Sequence, residues 1–332
     1  MEQAVARRIA VVGLGSLGSA FVANLLKAGE KVVGYDLQPK PHLESLGMQT
    51  ACNVGEAVKE ADVLITALPA PRHVYSVMED GGLLQMFANA TKARSVASPL
   101  WIDHTSVDPG CGPHFGAASA AVGVRYVEAP LTGGLTLLKE GKMTVYLGGE
   151  TSDLDLAEAI VCHYVGKALR LGPWGAPATV KIVSNQLAAV NAVCIGEAMS
   201  IFRKSDIPLP TAFDAIRASA GNTYVWETEG PLAMNGTYDP GFALALHNKD
   251  LRIGHQISTE AGIPTPVFDA AHAVYERAME AYGPDAGSSH PAKLIASEAQ
   301  VSLDADGFRD WTYTVQDVEG SLGVLHRKKA AS

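Results

Sequence analysis

The stretch RIAVVGLGSLGSAFVANLLKAG, residues 8–29, decides the fold of the first half of this chain. The run IAVV is apolar and rich in β-branched residues, which is typical of a buried strand. After GLGSLG, apolar residues recur at Leu17, Phe21 and Leu25, a spacing that gives a helix one apolar face. A second strand pattern, KVVGYD, follows at residues 31–36. The stretch therefore predicts a strand, a glycine turn, a helix and a second parallel strand.

Three glycines, Gly13, Gly15 and Gly18, form the pattern G-x-G-x-x-G directly between that strand and that helix. The first glycine permits a tight turn, the second lets backbone approach a pyrophosphate, and the third allows close helix–strand contact. Backbone N–H groups at the start of the helix are then available to an anion. We therefore expect a dinucleotide site formed by Gly13, Leu14, Gly15, Ser16, Leu17 and Gly18.

The choice of dinucleotide depends on Asp36, which ends the second strand. A carboxylate there would accept hydrogen bonds from an adenosine ribose and would repel a 2′-phosphate. The next residue, Leu37, offers no guanidinium to bind phosphate, and Lys40 is the one nearby cation that could weaken the repulsion. NAD is therefore expected in preference to NADP.

Further strand patterns alternate with helical patterns through the first half: DVLITALP, LWIDHT and VRYVEAP. This alternation predicts a parallel sheet with helices on both faces. The runs MTVYLGG and LRLG, separated by a helical stretch from about Asp153 to Tyr164, suggest a hairpin-like pair that closes the domain near Gly172.

The second half has a helical pattern. From Ala178 to Lys204 the chain contains no proline and only one glycine, and its apolar residues follow a helical stripe, which predicts one long helix. Further helices are expected at about 210–220, 244–261, 267–282 and 291–300. The predicted fold is an α/β protein with three parts: a Rossmann-type parallel sheet domain over 1–172, an all-helical domain over 173–301, and a C-terminal extension of unknown role over 302–332.

Composition excludes several classes of function. The formal net charge is −9, with 26 basic residues dispersed along most of the chain, so nucleic acid is not an expected partner. The sequence has no apolar run long enough to span a bilayer and no apolar leader in MEQAVARRIA, so we expect no membrane segment and a cytoplasmic location. The four cysteines lie far apart without a C-x-x-C pair, so we expect neither a disulfide scaffold nor a metal site.

Six blocks in order, GLGSLG, ITALP, IDHTSVDP, EAPLTGG, KIVSN and LHNKDL, resemble those of the β-hydroxyacid dehydrogenases. That group includes 3-hydroxyisobutyrate dehydrogenase, tartronate semialdehyde reductase and 6-phosphogluconate dehydrogenase. The resemblance covers the chain to about residue 300. It implies an enzyme that moves a hydride between nicotinamide and a small anionic hydroxy acid or its oxo form, and a homodimer or homotetramer.

The resemblance also assigns roles. Lys181 would be the general acid and base, and Asn185, one helical turn later, would orient the substrate. Thr132, Gly133 and Gly134 would bind the substrate carboxylate, because a hydroxyl beside consecutive glycines offers several donors to one anion. The positions that the resemblance places near the cofactor are Leu68, Pro69, Thr105, Ser106 and Lys249. Four other polar residues are expected to be structural: His73, His104, His247 and Asp250.

The sequence departs from the family where the long helix begins. The chain reads GPWGAPATVK in place of a G-x-G turn, and we expect Pro177 and Trp174 to reshape the substrate pocket. The alternatives are an imine reductase of related architecture and a non-catalytic NAD-binding module. Lys181 counts against the imine reductase, and the presence of Lys181, Asn185 and Thr132 counts against the binding module. The identity of the hydroxy acid stays open among 3-hydroxyisobutyrate, glycerate, threonate and sulfonate analogues.

Overall fold

The computed structural model describes residues 7–318 and 321–327. The start MEQAVA and most of the final RKKAAS therefore lie outside the described residues. The chain forms two compact units, the first made of residues 1–133 and 138–181 and the second of residues 134–137 and 182–332. The division falls inside the long helix α9, Ala176–Lys204, so this helix contributes to both units.

The first unit is built on a nine-stranded sheet. Its strands are β1 Arg8–Val12, β2 Lys31–Tyr35, β3 Gln49–Thr50, β4 Val63–Thr66, β5 Leu100–Asp103, β6 Arg125–Glu128, β7 Leu131–Thr132, β8 Met143–Gly148 and β9 Val165–Gly172. The order is β3-β2-β1-β4-β5-β6-β8-β7, with β9 paired to β8. Strands β1 to β6 are parallel, as predicted. The reversal of strand order beside β1 creates the crevice in which such sheets bind ligands.

Helices cover this sheet, so its central strands β4 and β5 are buried at every position and do not alternate. The helices are α1 Ser16–Lys27, α2 Pro41–Glu44, α3 Val54–Val58, α4 Pro71–Tyr75, α5 Leu83–Ala93, α6 Cys111–Ala121, α7 Gly134–Lys139 and α8 Thr151–Val161. A π-helical turn, Ser76–Asp80, continues α4. Trp101, Phe115 and Tyr126 pack their rings together in the core.

The hairpin-like pairing expected for MTVYLGG and LRLG is wrong. Strands β8 and β9 lie parallel. Helix α8 connects them, and a helical crossover returns the chain to start the second strand at the same end as the first. The sheet becomes mixed instead at β8, which pairs antiparallel with β6 and β7.

Among the described residues, the second unit contains residues 134–137 of α7, the later part of α9 and five shorter helices, followed by a hairpin. These elements are α10 Leu209–Arg217, α11 Tyr224–Met234, α12 Leu244–Glu260, α13 Pro266–Tyr282, α14 His290–Glu298, β10 Thr312–Val318 and β11 Ser321–Arg327. The sequence did not predict α11, because it contains Pro231, a residue that usually ends a helix. Its start is fixed by Thr223, whose hydroxyl accepts the N–H of Trp226.

The C-terminal residues are more than an extension. Leu303 and Phe308 are buried in the core of the second unit with Met199 and Phe213. The Arg203 guanidinium donates to backbone carbonyls of this segment. The segment before the hairpin therefore completes the core, although its polar composition did not indicate this.

Helix α9 is long and apolar enough to cross a bilayer by length and composition alone. Core helices of globular proteins meet the same criterion, and 44% of its most apolar window is buried. This helix is weak evidence for a membrane span.

Candidate active site

The GLGSLG turn is fixed by contacts that only glycine permits. Gly13 has φ +93°, and a Cβ there would lie 2.4 Å from the Ala67 carbonyl oxygen. A Cβ on Gly18 would lie 1.9 Å from the Gly13 carbonyl oxygen. A Cβ on Gly15, in contrast, would meet nothing within 4 Å. The first and third glycines are thus required by packing, while the second leaves open space where α1 begins.

Asp36 is joined to this turn. Its carboxylate accepts the backbone N–H of Leu14 at 2.6 Å and that of Gln38 at 2.8 Å. Leu37 is 86% exposed beside it. Within the described part of the chain, no side chain caps the first turn of α1. The structure therefore brings the predicted glycines and Asp36 together around an uncapped helix start, which is a site suited to an anion.

Two further predicted positions meet at the carboxyl ends of β4 and β5. The Leu68 N–H donates to the Thr105 hydroxyl at 3.1 Å, and Leu68 lies beside Gly13. Pro69 is exposed and Ser106 half-buried at the same strand ends. Asp103, which sequence reasoning missed, holds this corner by accepting the Thr105 N–H at 3.0 Å.

The Asp103 carboxyl is buried, and burial raises its pKa to about 6. It also accepts the hydroxyl of Thr66 at 2.7 Å. The only sequence signal for this role was an acidic residue at the end of an apolar strand.

The histidines in these segments have structural contacts. His104 is buried between the Ala129 carbonyl and the Tyr164 hydroxyl, and burial lowers its pKa to about 4. His247 is also buried, with Nε2 3.0 Å from the Asn185 carbonyl oxygen. His73 lies half-buried in the first turn of α4.

The EAPLTGG block has the backbone that its glycines require. Thr132 ends β7 and pairs with Thr144 of β8. Gly133 and Gly134 follow with φ +130° and +82°, both in a region that disfavours side chains. Thr132 and Gly133 belong to the first unit and Gly134 to the second.

The start of α9 is held by Glu128, another residue that sequence reasoning missed. The Glu128 carboxylate accepts the Gly175 N–H at 2.6 Å and the Ala178 N–H at 2.7 Å. Pro177 occupies the first turn and packs on Gly148, where a Cβ would lie 2.5 Å from the proline ring. No local pattern links Glu128 to residues about fifty positions later.

Trp174 contacts the first unit. Its indole N–H donates to the Tyr126 carbonyl at 3.2 Å. Its ring lies over Gly116 of α6, where a Cβ would come within 2.7 Å of it. These contacts give Trp174 a packing role on α6, and its effect on a substrate pocket stays a prediction.

Lys181 and Asn185 lie one turn apart on α9, and Lys181 is half-buried. Within the second unit, the Asn185 Nδ2 donates to Asp250 Oδ2 at 2.6 Å. The other Asp250 oxygen lies 3.0 Å from the Lys249 ammonium. The buried Asp250 therefore joins two predicted site residues, one for substrate and one for cofactor.

Two family models match the chain in succession. The first, described as the NAD binding domain of 6-phosphogluconate dehydrogenase, matches residues 8–172. The second, described as NAD-binding of NADP-dependent 3-hydroxyisobutyrate dehydrogenase, matches residues 175–295. The two matches meet where the sheet ends and α9 begins. The buried Leu303 and Phe308 lie beyond both.

Individual relatives give the same assignment. The chain is 30% identical to 2-(hydroxymethyl)glutarate dehydrogenase from Eubacterium barkeri over 84% of this chain and 91% of the relative. It is 29% identical to L-threonate dehydrogenase from Cupriavidus necator over 83% and 92%. Among solved structures, Mycobacterium tuberculosis 3-hydroxyisobutyrate dehydrogenase with L-serine has a TM-score of 0.74 at 27% identity, over 88% and 99% of the two chains.

Proposed function

The chain belongs to the β-hydroxyacid dehydrogenase family and is an NAD-dependent dehydrogenase, and from this premise we propose that it oxidises a small hydroxy acid, or reduces the matching oxo acid, with Lys181 as general acid and base. The observation that carries the proposal is the placement of Lys181. It lies one turn after the Glu128-held start of α9 and one turn before Asn185, whose amide is held by Asp250.

The residues around α1 fit the cofactor. The open space at Gly15 and the uncapped helix start suit a pyrophosphate, and Asp36 suits an adenosine ribose. A dinucleotide held by these residues would supply the nicotinamide that takes up the hydride in oxidation and gives it back in reduction. We propose a preference for NAD over NADP, because the Asp36 carboxylate would repel a 2′-phosphate and the neighbouring Leu37 cannot pair with one.

The proton of the substrate hydroxyl is transferred separately from the hydride. Oxidation of an alcohol requires the hydroxyl proton to leave as the hydride departs, and reduction requires its return. An unprotonated Lys181 amine would accept this proton, and the ammonium would donate it. The Asn185 side chain is held by its bond to Asp250, and in this fixed orientation it would orient the substrate hydroxyl.

The proposed substrate is a short hydroxy acid similar to 3-hydroxyisobutyrate. The relatives are named for L-threonate, 2-(hydroxymethyl)glutarate and 3-hydroxyisobutyrate, each a carboxylate with a nearby hydroxyl. The Thr132 hydroxyl and the backbone of Gly133 and Gly134 would bind the carboxylate. Both φ values are positive, a conformation that favours glycine, and glycine at these two positions adds no side chain that could block the substrate.

We also propose that the enzyme is a homodimer or homotetramer. Helix α9 exposes apolar side chains at spacings of three, four and seven residues, which place them along one face of the helix, as at a helix–helix interface. These side chains are Val180, Val183, Leu187, Cys194 and Ile201. A face of this kind on a long helix is normally covered.

The test is NADH formation at alkaline pH from a panel of short 2- and 3-hydroxy acids, with NAD and NADP in parallel. We expect Lys181→Ala to lower kcat/KM for the accepted acid by about 10²- to 10⁴-fold, the usual contribution of a general acid–base group. NAD affinity, measured by fluorescence titration, should not change.

Lys204→Ala, at the exposed end of the same helix, is the matched control and should retain wild-type turnover. Turnover by Lys181→Ala at the control rate would refute the acid–base role. Normal NAD binding without turnover of any acid in the panel would refute the proposed substrate class.

A further inference from the structure

The buried carboxylate of Glu128 satisfies backbone donors at the start of α9 that would otherwise have no partner. A helix leaves its first N–H groups without intrahelical acceptors. Here the N–H groups of Gly175 and Ala178 donate to the two oxygens of Glu128. Pro177 has no N–H, and the Ala176 N–H donates to the Pro173 carbonyl.

The regular helical pattern begins with Thr179, whose N–H donates to the Gly175 carbonyl at 3.0 Å. Every backbone donor from Gly175 to Thr179 is therefore used within the chain. This helix end does not offer N–H groups to a substrate carboxylate, so its role is to anchor the helix.

Glu128, which anchors the start of α9, is tightly enclosed by the surrounding chain. Glu128 is 1% exposed. A Cβ on Gly112 would lie 2.5 Å from its Oε2, and a Cβ on Gly175 would lie 2.8 Å from the Pro109 carbonyl oxygen. The carboxylate is therefore packed closely against the backbone of α6, and the first turn of α9 is packed closely against the chain just before α6.

The charge of the Glu128 carboxyl changes with pH near neutrality. Burial raises the pKa of the Glu128 carboxyl to about 7, and the two backbone N–H donors oppose that rise. The titratable groups around it are Asp103 on β5, Asp108 just before α6, and Tyr126 on β6. Asp103 and Asp108 raise the pKa further through repulsion.

We propose that Glu128 is a positioning residue for Lys181: its carboxylate fixes the first turn of α9, and the rigid helix carries that fixed rotation to Lys181, three residues after Ala178. This inference rests on the proposed function of Lys181. The ionised carboxylate accepts both N–H groups, whereas protonation places a hydrogen on one of the accepting oxygens. The best placement of Lys181 therefore requires the ionised form.

The test compares Glu128→Gln, which keeps the shape and removes the charge, with Glu128→Asp, which keeps the charge and shortens the reach. We expect Glu128→Gln to lower kcat by about 10- to 100-fold, because small misplacement of a catalytic group costs that much. KM for NAD should be unchanged. In the wild type we expect kcat to rise through pH 7 as Glu128 ionises, and this rise should disappear in Glu128→Gln. Glu128→Asp should recover part of the rate and retain a pH-dependent rise.

A second readout does not need activity. The ¹³C NMR signal of the Lys181 ε-carbon, assigned by its loss in Lys181→Ala, gives the titration of that amine directly. The pKa of a lysine depends on its burial and on the charges and hydrogen bonds around it. A shift of the first turn of α9 in Glu128→Gln should therefore change the pH at which Lys181 titrates. This measurement decides the positioning role even when no acid in the panel is turned over, a result that would refute only the proposed function.

Asn53→Ala is the matched control. Asn53 caps α3 in the same unit by accepting the Glu56 N–H, so its loss removes a helix cap remote from α9. Similar loss of thermal stability in both variants, with kcat and the Lys181 titration unchanged in Glu128→Gln, would overturn the proposal. If Glu128→Gln fails to fold, Glu128→Asp decides it by the same two readouts.

Discussion

Asp36 and Glu128 both lie at the ends of parallel strands, but they contact the helix that begins nearby in different ways. Asp36 follows β2, is half-buried, and accepts the N–H of Leu14 from the turn before α1. Glu128 ends β6, is fully buried, and accepts two N–H groups from the start of α9 itself. Asp36 therefore lies beside the start of α1, whereas Glu128 binds the N–H groups at the start of α9.

This difference separates the proposed cofactor site at the start of α1 from the start of α9, which the Glu128 carboxylate anchors. The start of α1 has open space at Gly15 and lacks a side-chain cap among the described residues, so its dipole and N–H groups can attract an anion. The start of α9 already contains its anion, which is the Glu128 carboxylate. A helix N-terminus near a glycine turn is thus a ligand site only when the chain itself does not fill it.

The largest expected effect on stability comes from adding a methyl group at Gly18, the closely packed third glycine of the turn. Gly18→Ala would place Cβ 1.9 Å from the Gly13 carbonyl oxygen. We expect a loss of about 3 kcal/mol in unfolding free energy, at the upper end for an overpacked site, together with loss of NAD binding. Urea unfolding and fluorescence titration with NAD measure the two effects.

Gly15→Ala is the matched variant, because its Cβ meets nothing within 4 Å. Stability should stay within about 0.5 kcal/mol of wild type, as for most surface changes, while NAD binding weakens. Equal loss of stability in both alanine variants would show that the space at Gly15 is not reserved for a ligand.

Sequence reasoning predicted the geometry of the glycine turn before α1 because its parts are local. Gly13, Gly18 and Asp36 lie within one strand–helix–strand unit, and each has a backbone or charge role that residue type alone indicates. Helix α9 was also predictable, since its apolar stripe and lack of glycine are local properties. The same holds for the parallel order of the first six strands.

The anchor was not predictable, because its parts are distant in sequence. Glu128 meets Gly175 and Ala178 only after α7, α8 and the three strands β7, β8 and β9 have been placed. The bond between Asn185 and Asp250 joins residues 65 positions apart. Pairing of this kind depends on tertiary packing, which also determined the parallel direction of β9 and the burial of Phe308 in the second unit.

A smaller effect should appear in the pH dependence of stability. The native pKa of Glu128 is raised from 4.5 to about 7, so the native state holds a proton that the unfolded state releases within this window. Stability should therefore fall as pH rises from 4.5 to 7, by on the order of 2 kcal/mol from this group. Urea unfolding at steps across the window measures it.

Asp103 and Glu229 shift in the same direction, so the wild-type slope alone does not identify Glu128. The difference between wild type and Glu128→Gln isolates the group, and we expect a shallower slope in the variant. Parallel curves would mean that Glu128 is ionised throughout the window and that its two N–H donors outweigh its burial.

The smallest expected effect is the stabilisation of the protein by inorganic pyrophosphate, which tests the difference between the starts of α1 and α9 directly. An anion that binds only the native state raises stability by mass action, by about 1 kcal/mol at several times its Kd, which corresponds to a rise of about 2 °C in Tm. We expect this rise in wild type and its loss in Gly15→Ala. Glu128→Gln should show the wild-type rise, because its side chain still fills the start of α9. A larger rise in that variant would mean that neutralising the anchor opens a second anion site, and that charge rather than occupied space distinguishes the two helix ends.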